Sequence, residues 1–242
     1  MVRMVCNGTH PGDWQRVSEL AREYPEVVPS FGLHPWFCAE ALPDWPAQLA
    51  SFLDRGPAAI GEIGLDRWLK NRDEPAQESA FRTQLAIARE RRLPVTIHCL
   101  RAWGWLTDVL RQAGPLPAGF LLHAYSGPRE LIPSLARAGA FFSFAGNVLH
   151  PNRLRARAAL QEAPLDRLLI ETDAPALSPP RGYRPYTLTS SDGDNWNEPA
   201  NLRAILEGIA DLRQITPDEL AETVLHNATR LFGDLLCLTN AS

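Results

Sequence analysis

Seven short apolar runs, each stopping in a polar residue, set the strongest constraint on how this chain can fold. MVCNG stops at Asn7, SFGLHP at His34, AAIGEIGLD at Glu62, PVTIHC at His98, GFLLHAYSG at His123, AFFSFAGN at Asn147 and LLIETDAP at Asp173. These tips lie 27, 28, 36, 25, 24 and 26 residues apart. Each interval has room for one strand, one helix and two loops. Between the runs, Asp13–Arg22, Glu74–Arg92, Leu131–Ala138, Leu154–Leu160, Leu202–Ile209 and Pro217–Leu231 carry apolar residues at helical spacing. Regular β-α alternation without a composition shift predicts a parallel sheet in a single domain spanning residues 1–242. Chemistry-bearing residues at nearly every tip favour a (β/α)8 TIM-barrel-type architecture over an open doubly wound sheet, in which such residues gather at one crevice. A closed barrel of this kind has eight strands, and about seven are counted here.

The tips also carry the chemistry. Glu62, His98, His123 and Asp173 are the ligand types of a hydrolytic divalent-metal site, which needs rigidly held donors and an open position for water. Gly61 and Gly64 flank Glu62 and allow backbone or substrate to come close. Asp173 precedes Pro175 and has the chemistry to bind metal and to accept a proton from water. Asp66 is either a cap or a residue that holds a ligand histidine in place. The long irregular stretch 178–200 follows the Asp173 tip directly, and its position beside the candidate site argues for a functional loop.

Composition narrows the function classes. No stretch approaches the ~20 apolar residues of a membrane span, and the first residues lack the organisation of a signal peptide. Four scattered cysteines (Cys6, Cys38, Cys99, Cys237) form no CxxC pair. That excludes a zinc ribbon or a disulfide scaffold and suits the cytoplasm. The formal net charge of −4 excludes a global basic field for nucleic acid. It leaves room for an active site that binds phosphate through metals and a few arginines.

Taken in order, GEIGLD, PVTIHC, LLHAYSG, FFSFAGN, LLIETDAP and NEPANL resemble the TatD family of metal-dependent deoxyribonucleases. FGLHPW is similar to that family's G-hP tip, and HNATRLFG to its closing helix. The resemblance spans the whole chain. It implies an α/β metal-dependent hydrolase barrel with one or two divalent ions (Mg²⁺, Mn²⁺ or Zn²⁺). The implied reaction is hydrolysis of phosphodiester bonds by a 3′–5′ exonuclease-like enzyme, with DNA, single-stranded or at its ends, as substrate. Glu62, His98, His123 and Asp173 fall on the family's metal positions, and Glu62 and Asp173 on its catalytic ones. His34, Arg101, Asn197 and Glu198 are candidates for substrate binding, and Tyr125, Trp36 and Trp196 for base stacking.

Two departures qualify the resemblance. The family opens with a strand carrying a D-x-H-x-H-like motif. Here the only early histidine is His10, in THPGDW, so the chain reads as starting one β-α unit late and the barrel as N-terminally incomplete. HCLRAW replaces a pattern closer to H-S-R-D-A, which displaces Arg101 by one position from the family's phosphate-contacting arginine. Glu62, His98 and His123 would form a full protein set for one ion, while Asp173 and Glu62 alone would hold another weakly. One ion well held and a second poorly held, reduced activity, and lower stability than a version extended by one β-α unit are the resulting expectations. Two alternatives remain at this point: an amidohydrolase-type barrel acting on a small molecule, and a catalytically impaired scaffold with a degenerate metal site.

Overall fold

The computed structural model describes residues 3–189, 193 and 195–236. The chain divides into two units, residues 1–122 with 229–242, and residues 123–228.

The first unit alternates β1 (Met4–Asn7), α1 (Pro11–Glu23), β2 (Val27–Phe31), α2 (Trp45–Leu53), β3 (Ala59–Asp66), α3 (Glu74–Arg91), β4 (Val95–Leu100), α4 (Trp103–Ala113) and β5 (Phe120–Leu122). Its five strands pair in chain order, all parallel. β3 is buried along its length except at Glu62. Burial on both faces is why AIGEIGLD reads as a near-continuous apolar run. A register irregularity between Ile60 and Ile63 in the β3–β4 pairing falls on the segment that contains Glu62. Gly64, at φ 146°, lies so close to β4 that a Cβ there would sit 2.0 Å from the His98 carbonyl oxygen. No side chain fits at that point, and the two site-bearing strands can therefore meet.

α3 works as a clamp on this unit. Its N-cap is Asp73, whose side chain accepts from the Ala76 amide, and Pro75 sits in its first turn. Two fully buried glutamines, seven positions apart, project from one face. Gln84 accepts from the Leu33 amide (2.7 Å) and donates to the Leu33 carbonyl (3.1 Å). Gln77 does the same for Asp66, at 2.8 and 3.1 Å. A backbone leaving its sheet loses ladder partners, and these amides replace them beside His34 and at Asp66.

The second unit holds α5 (Ile132–Arg137), β6 (Ala140–Ala145), α6 (Leu154–Glu162), β7 (Leu168–Glu171), a short antiparallel pair of β8 (Leu188–Thr189) with β9 (Asn195–Trp196), α7 (Leu202–Arg213) and α8 (Pro217–Phe232) up to residue 228. β6 and β7 pair in parallel, Ala145 facing Glu171. Every residue of β6 is buried. Asn227 on α8 donates to the Leu165 and Leu168 carbonyls at 2.7 and 2.9 Å and so fixes the start of β7. The seven parallel strands agree with the seven apolar runs, and the expected helices are all present. Cys237 lies outside the described residues. No helix is long and apolar enough to cross a membrane among the described residues.

Candidate metal centre

Among the described residues, two groups of side chains bring three ligand-type atoms together: His34, Glu62 and His98 in the first unit, and His123, Glu171 and Asp173 in the second. The hydrogen bonds around each group separate donors suited to metal from donors already committed.

In the first group, Glu62 Oε1 lies 3.0 Å from His98 Nδ1 and 3.2 Å from His34 Nε2. The other ring nitrogen of His98, Nε2, lies 3.0 Å from Asp66 Oδ2. Asp66 is wholly buried. Burial raises its carboxyl pKa, but hydrogen bonds from His98, the Trp36 indole and the Trp68 amide outweigh this and bring it down to about 2. An ionised carboxylate can only accept, so Nε2 carries a proton, and Nδ1, 3.0 Å from Glu62 Oε1, is the nitrogen left for a cation to take. A ligand histidine backed by a carboxylate on its second nitrogen is the usual arrangement at metal sites. Asp66 meets both sequence-level readings: Oδ2 holds a histidine in place, and Oδ1 caps the turn that follows by accepting from the Trp68 and Leu69 amides.

His34 is oriented differently. Its Nδ1 accepts from the Trp36 amide at 3.2 Å, which puts the proton on Nε2, pointing at Glu62. In this tautomer His34 is a hydrogen-bond donor beside the site. The residue is 6 % exposed and caps the short 3₁₀ helix Pro35–Glu40.

In the second group, His123 Nδ1 lies 3.6 Å from Glu171 Oε1 and 4.0 Å from Asp173 Oδ1. Both Glu171 oxygens accept from neighbours: Oε1 from the Ala124 amide at 2.7 Å, Oε2 from the Ser143 hydroxyl at 2.5 Å. Glu171 thus ties β7 to β6 and to the turn that carries His123. Asp173 lies just beyond β7 with φ 52°, a left-handed conformation that aspartate tolerates better than most residues. Asn197 holds that turn. Fully buried, it donates to the Thr172 and Ala176 carbonyls at 2.7 and 3.1 Å, and its Oδ1 accepts from Asn201 Nδ2 and the Glu198 amide at 2.9 and 3.0 Å.

The donor set fits a hard or borderline divalent ion, since each group joins imidazole nitrogen to carboxylate oxygen. The sequence-level candidates occupy distinct places. Glu62 and His98 sit together with His34, and His123 sits with Asp173. Asn197 grips the Asp173 turn, whereas Glu198 makes no side-chain cap to the 3₁₀ turn that follows it. Arg101 is exposed at the end of β4, with its guanidinium carbon 5.7 Å from the centre of the Trp68 ring. Tyr125 is 2 % exposed and packs against Phe142 and Phe144, so its role is core packing, whereas Trp36 and Trp196 are exposed. Sequence reading missed Glu171. It lies two positions before Asp173, and the period-two alternation of a strand would have put both on one face. Gln77 and Gln84 carried no signal beyond being polar residues in an apolar helical pattern.

Comparison with known proteins agrees with this geometry. Residues 1–233 match the family model described as TatD related DNase. A protein of Erwinia tasmaniensis named 3′-5′ ssDNA/RNA exonuclease TatD is 35% identical over 238 residues, 95% of this chain and 88% of that protein. The uncharacterized metal-dependent hydrolase YabD of Bacillus subtilis is 32% identical, over 95% of this chain and 87% of its own. Among solved structures, YJJV, a TatD homolog from Escherichia coli, superimposes with a TM-score of 0.85 at 26% identity, covering 96% of this chain and 86% of that one. The α/β, TIM-barrel-type fold expected from the sequence holds, with seven parallel strands among the described residues. With its ordered strand-end motifs, its two imidazole–carboxylate groups and a family match over nearly the whole length, the chain belongs to the family of TatD-related, metal-dependent DNases.

Proposed function

We propose that this hydrolase removes nucleotides from the 3′ end of single-stranded DNA, with Glu62, His98, His123 and Asp173 as its metal ligands. The observation that carries this reading is the pairing of His98 with two carboxylates, Asp66 on Nε2 and Glu62 on Nδ1. That arrangement leaves a positioned imidazole–carboxylate pair for a cation. The names of the relatives point the same way, and Mg²⁺ or Mn²⁺ suits the mixed oxygen–nitrogen set. A divalent ion bound there supplies Lewis-acid polarisation of a phosphodiester and makes water more acidic.

The chain's own residues do the rest. Asp173 accepts the proton of the attacking water. Water adds to phosphorus and the bond to the bridging O3′ breaks. The O3′ takes a proton from solvent, leaving a 5′-mononucleotide and a strand shortened by one residue with a free 3′-hydroxyl. His34, with its proton on Nε2, donates to Glu62 and holds that carboxylate in place. The Glu62–His98 pair, backed by buried Asp66, holds one ion firmly. The His123–Asp173 pair, with its longer spacings, holds a second weakly.

The test is release of label from a 3′-end-labelled single-stranded oligonucleotide by the purified protein. Release should require a divalent ion, stop with chelator and be abolished by His123→Ala. Hydrolysis that persists unchanged in His123→Ala, or no hydrolysis with any of Mg²⁺, Mn²⁺ and Zn²⁺, would overturn the proposal.

A further inference from the structure

Two half-exposed tryptophans are built onto the same carboxylate that orients His98. Trp36 and Trp68 are each 52 % exposed, close to a polar site. Each is tied to Asp66, Trp36 through its ring and Trp68 through its backbone. The Trp36 indole N–H donates to Asp66 Oδ2 at 2.7 Å, and its ring lies edge-on to the His34 ring, centroids 5.2 Å apart. The Trp68 amide donates to Asp66 Oδ1 at 2.5 Å. Arg101, exposed, places its guanidinium beside the Trp68 ring.

We infer that Trp36 and Trp68 form a stacking platform for the bases of a single strand, with Arg101 supplying a cation for its backbone. This inference rests on the nuclease reading and deepens it by naming what selects an unpaired strand. Base–aromatic stacking is tolerant of sequence and needs bases freed from a duplex. Holding the Trp36 ring and the Trp68 backbone at Asp66 means that less conformational freedom is lost when a base arrives. The chain's net charge of −4 gives no general attraction for nucleic acid, so such a local device has to supply part of the affinity.

The experiment is a double-mutant cycle in binding, read by fluorescence anisotropy of a labelled single-stranded oligonucleotide in chelator, where hydrolysis is off. Trp68→Ala should weaken binding about tenfold, the scale of one lost base–aromatic stack. Trp68→Phe, which keeps a ring, should stay within about threefold of the original protein. On oligonucleotides carrying one abasic position, scanned along the strand, the Trp68→Ala defect should vanish at one position and persist at the others. Equal affinity of Trp68→Ala and the original protein, or a defect that no abasic position removes, would overturn the platform. Coupling between Trp68 and a base in a protein that never cleaves DNA would support the platform and overturn the reaction instead. Cleavage without coupling would do the reverse.

Discussion

Replacing Asp66 with asparagine tests how the site prepares His98. In the native arrangement Asp66 accepts from His98 Nε2, the Trp36 indole, and the Trp68 and Leu69 amides. Asparagine keeps one accepting oxygen and offers an N–H₂ group in place of the other. If the oxygen stays with the two amides, the N–H₂ faces His98 Nε2 and the Trp36 N–H, which can no longer be satisfied by it. His98 then accepts on Nε2 and keeps its proton on Nδ1, the nitrogen that a cation would take. Loss of such a partner typically weakens metal binding about 10–100-fold, or about 1.4–2.7 kcal/mol. Titration calorimetry with Mn²⁺ on the original protein and on Asp66→Asn, each checked for folding by circular dichroism, measures this directly. Affinity within about twofold of the original would refute the tautomer argument, because the ring would then need no carboxylate to present Nδ1.

Other consequences follow from the same contacts. Asn197→Ala removes four hydrogen bonds around the Asp173 turn. It should cost about 3 kcal/mol in urea unfolding and lower kcat, since buried partners are left unsatisfied. In the metal-free protein the Asp66 carboxyl is held at about 2 against an ordinary value of 3.8. Its pKa is depressed on folding, so its contribution is complete above pH 4 and is lost as the pH falls towards 2. Acid titration of stability should show a loss of about 2 kcal/mol over that window, absent in Asp66→Asn. Burial raises the thiol pKa of Cys38 to about 12 and that of Cys99 further still. Both should therefore resist iodoacetamide at pH 8 until the chain unfolds, as peptide mapping of the alkylated protein will show.

The strands were legible because burial on both faces leaves only one kind of sequence, a short apolar run, and because each tip must be polar where it meets water. Glu62 and His98 were legible for that reason. The partnership within the site was less so. Sequence reading put His34 among substrate contacts, and its closeness to Glu62 comes from the Gln84 clamp, a contact across 51 positions that leaves no local pattern. Glu171 closes the LLI run two positions before Asp173, and its partners Ala124 and Ser143 reach it from elsewhere in the chain and leave no local pattern. Asn197 lay in an irregular loop, and only folding shows that its four bonds hold the turn bearing Asp173.

The metal centre itself is most directly tested by diffraction from crystals grown with Mn²⁺, using the anomalous signal of the ion. A peak about 2.1 Å from a Glu62 oxygen and from His98 Nδ1, with Asp66 still on Nε2, is the expected result. No peak at that position, or coordination through His98 Nε2 with Asp66 displaced, would contradict the account.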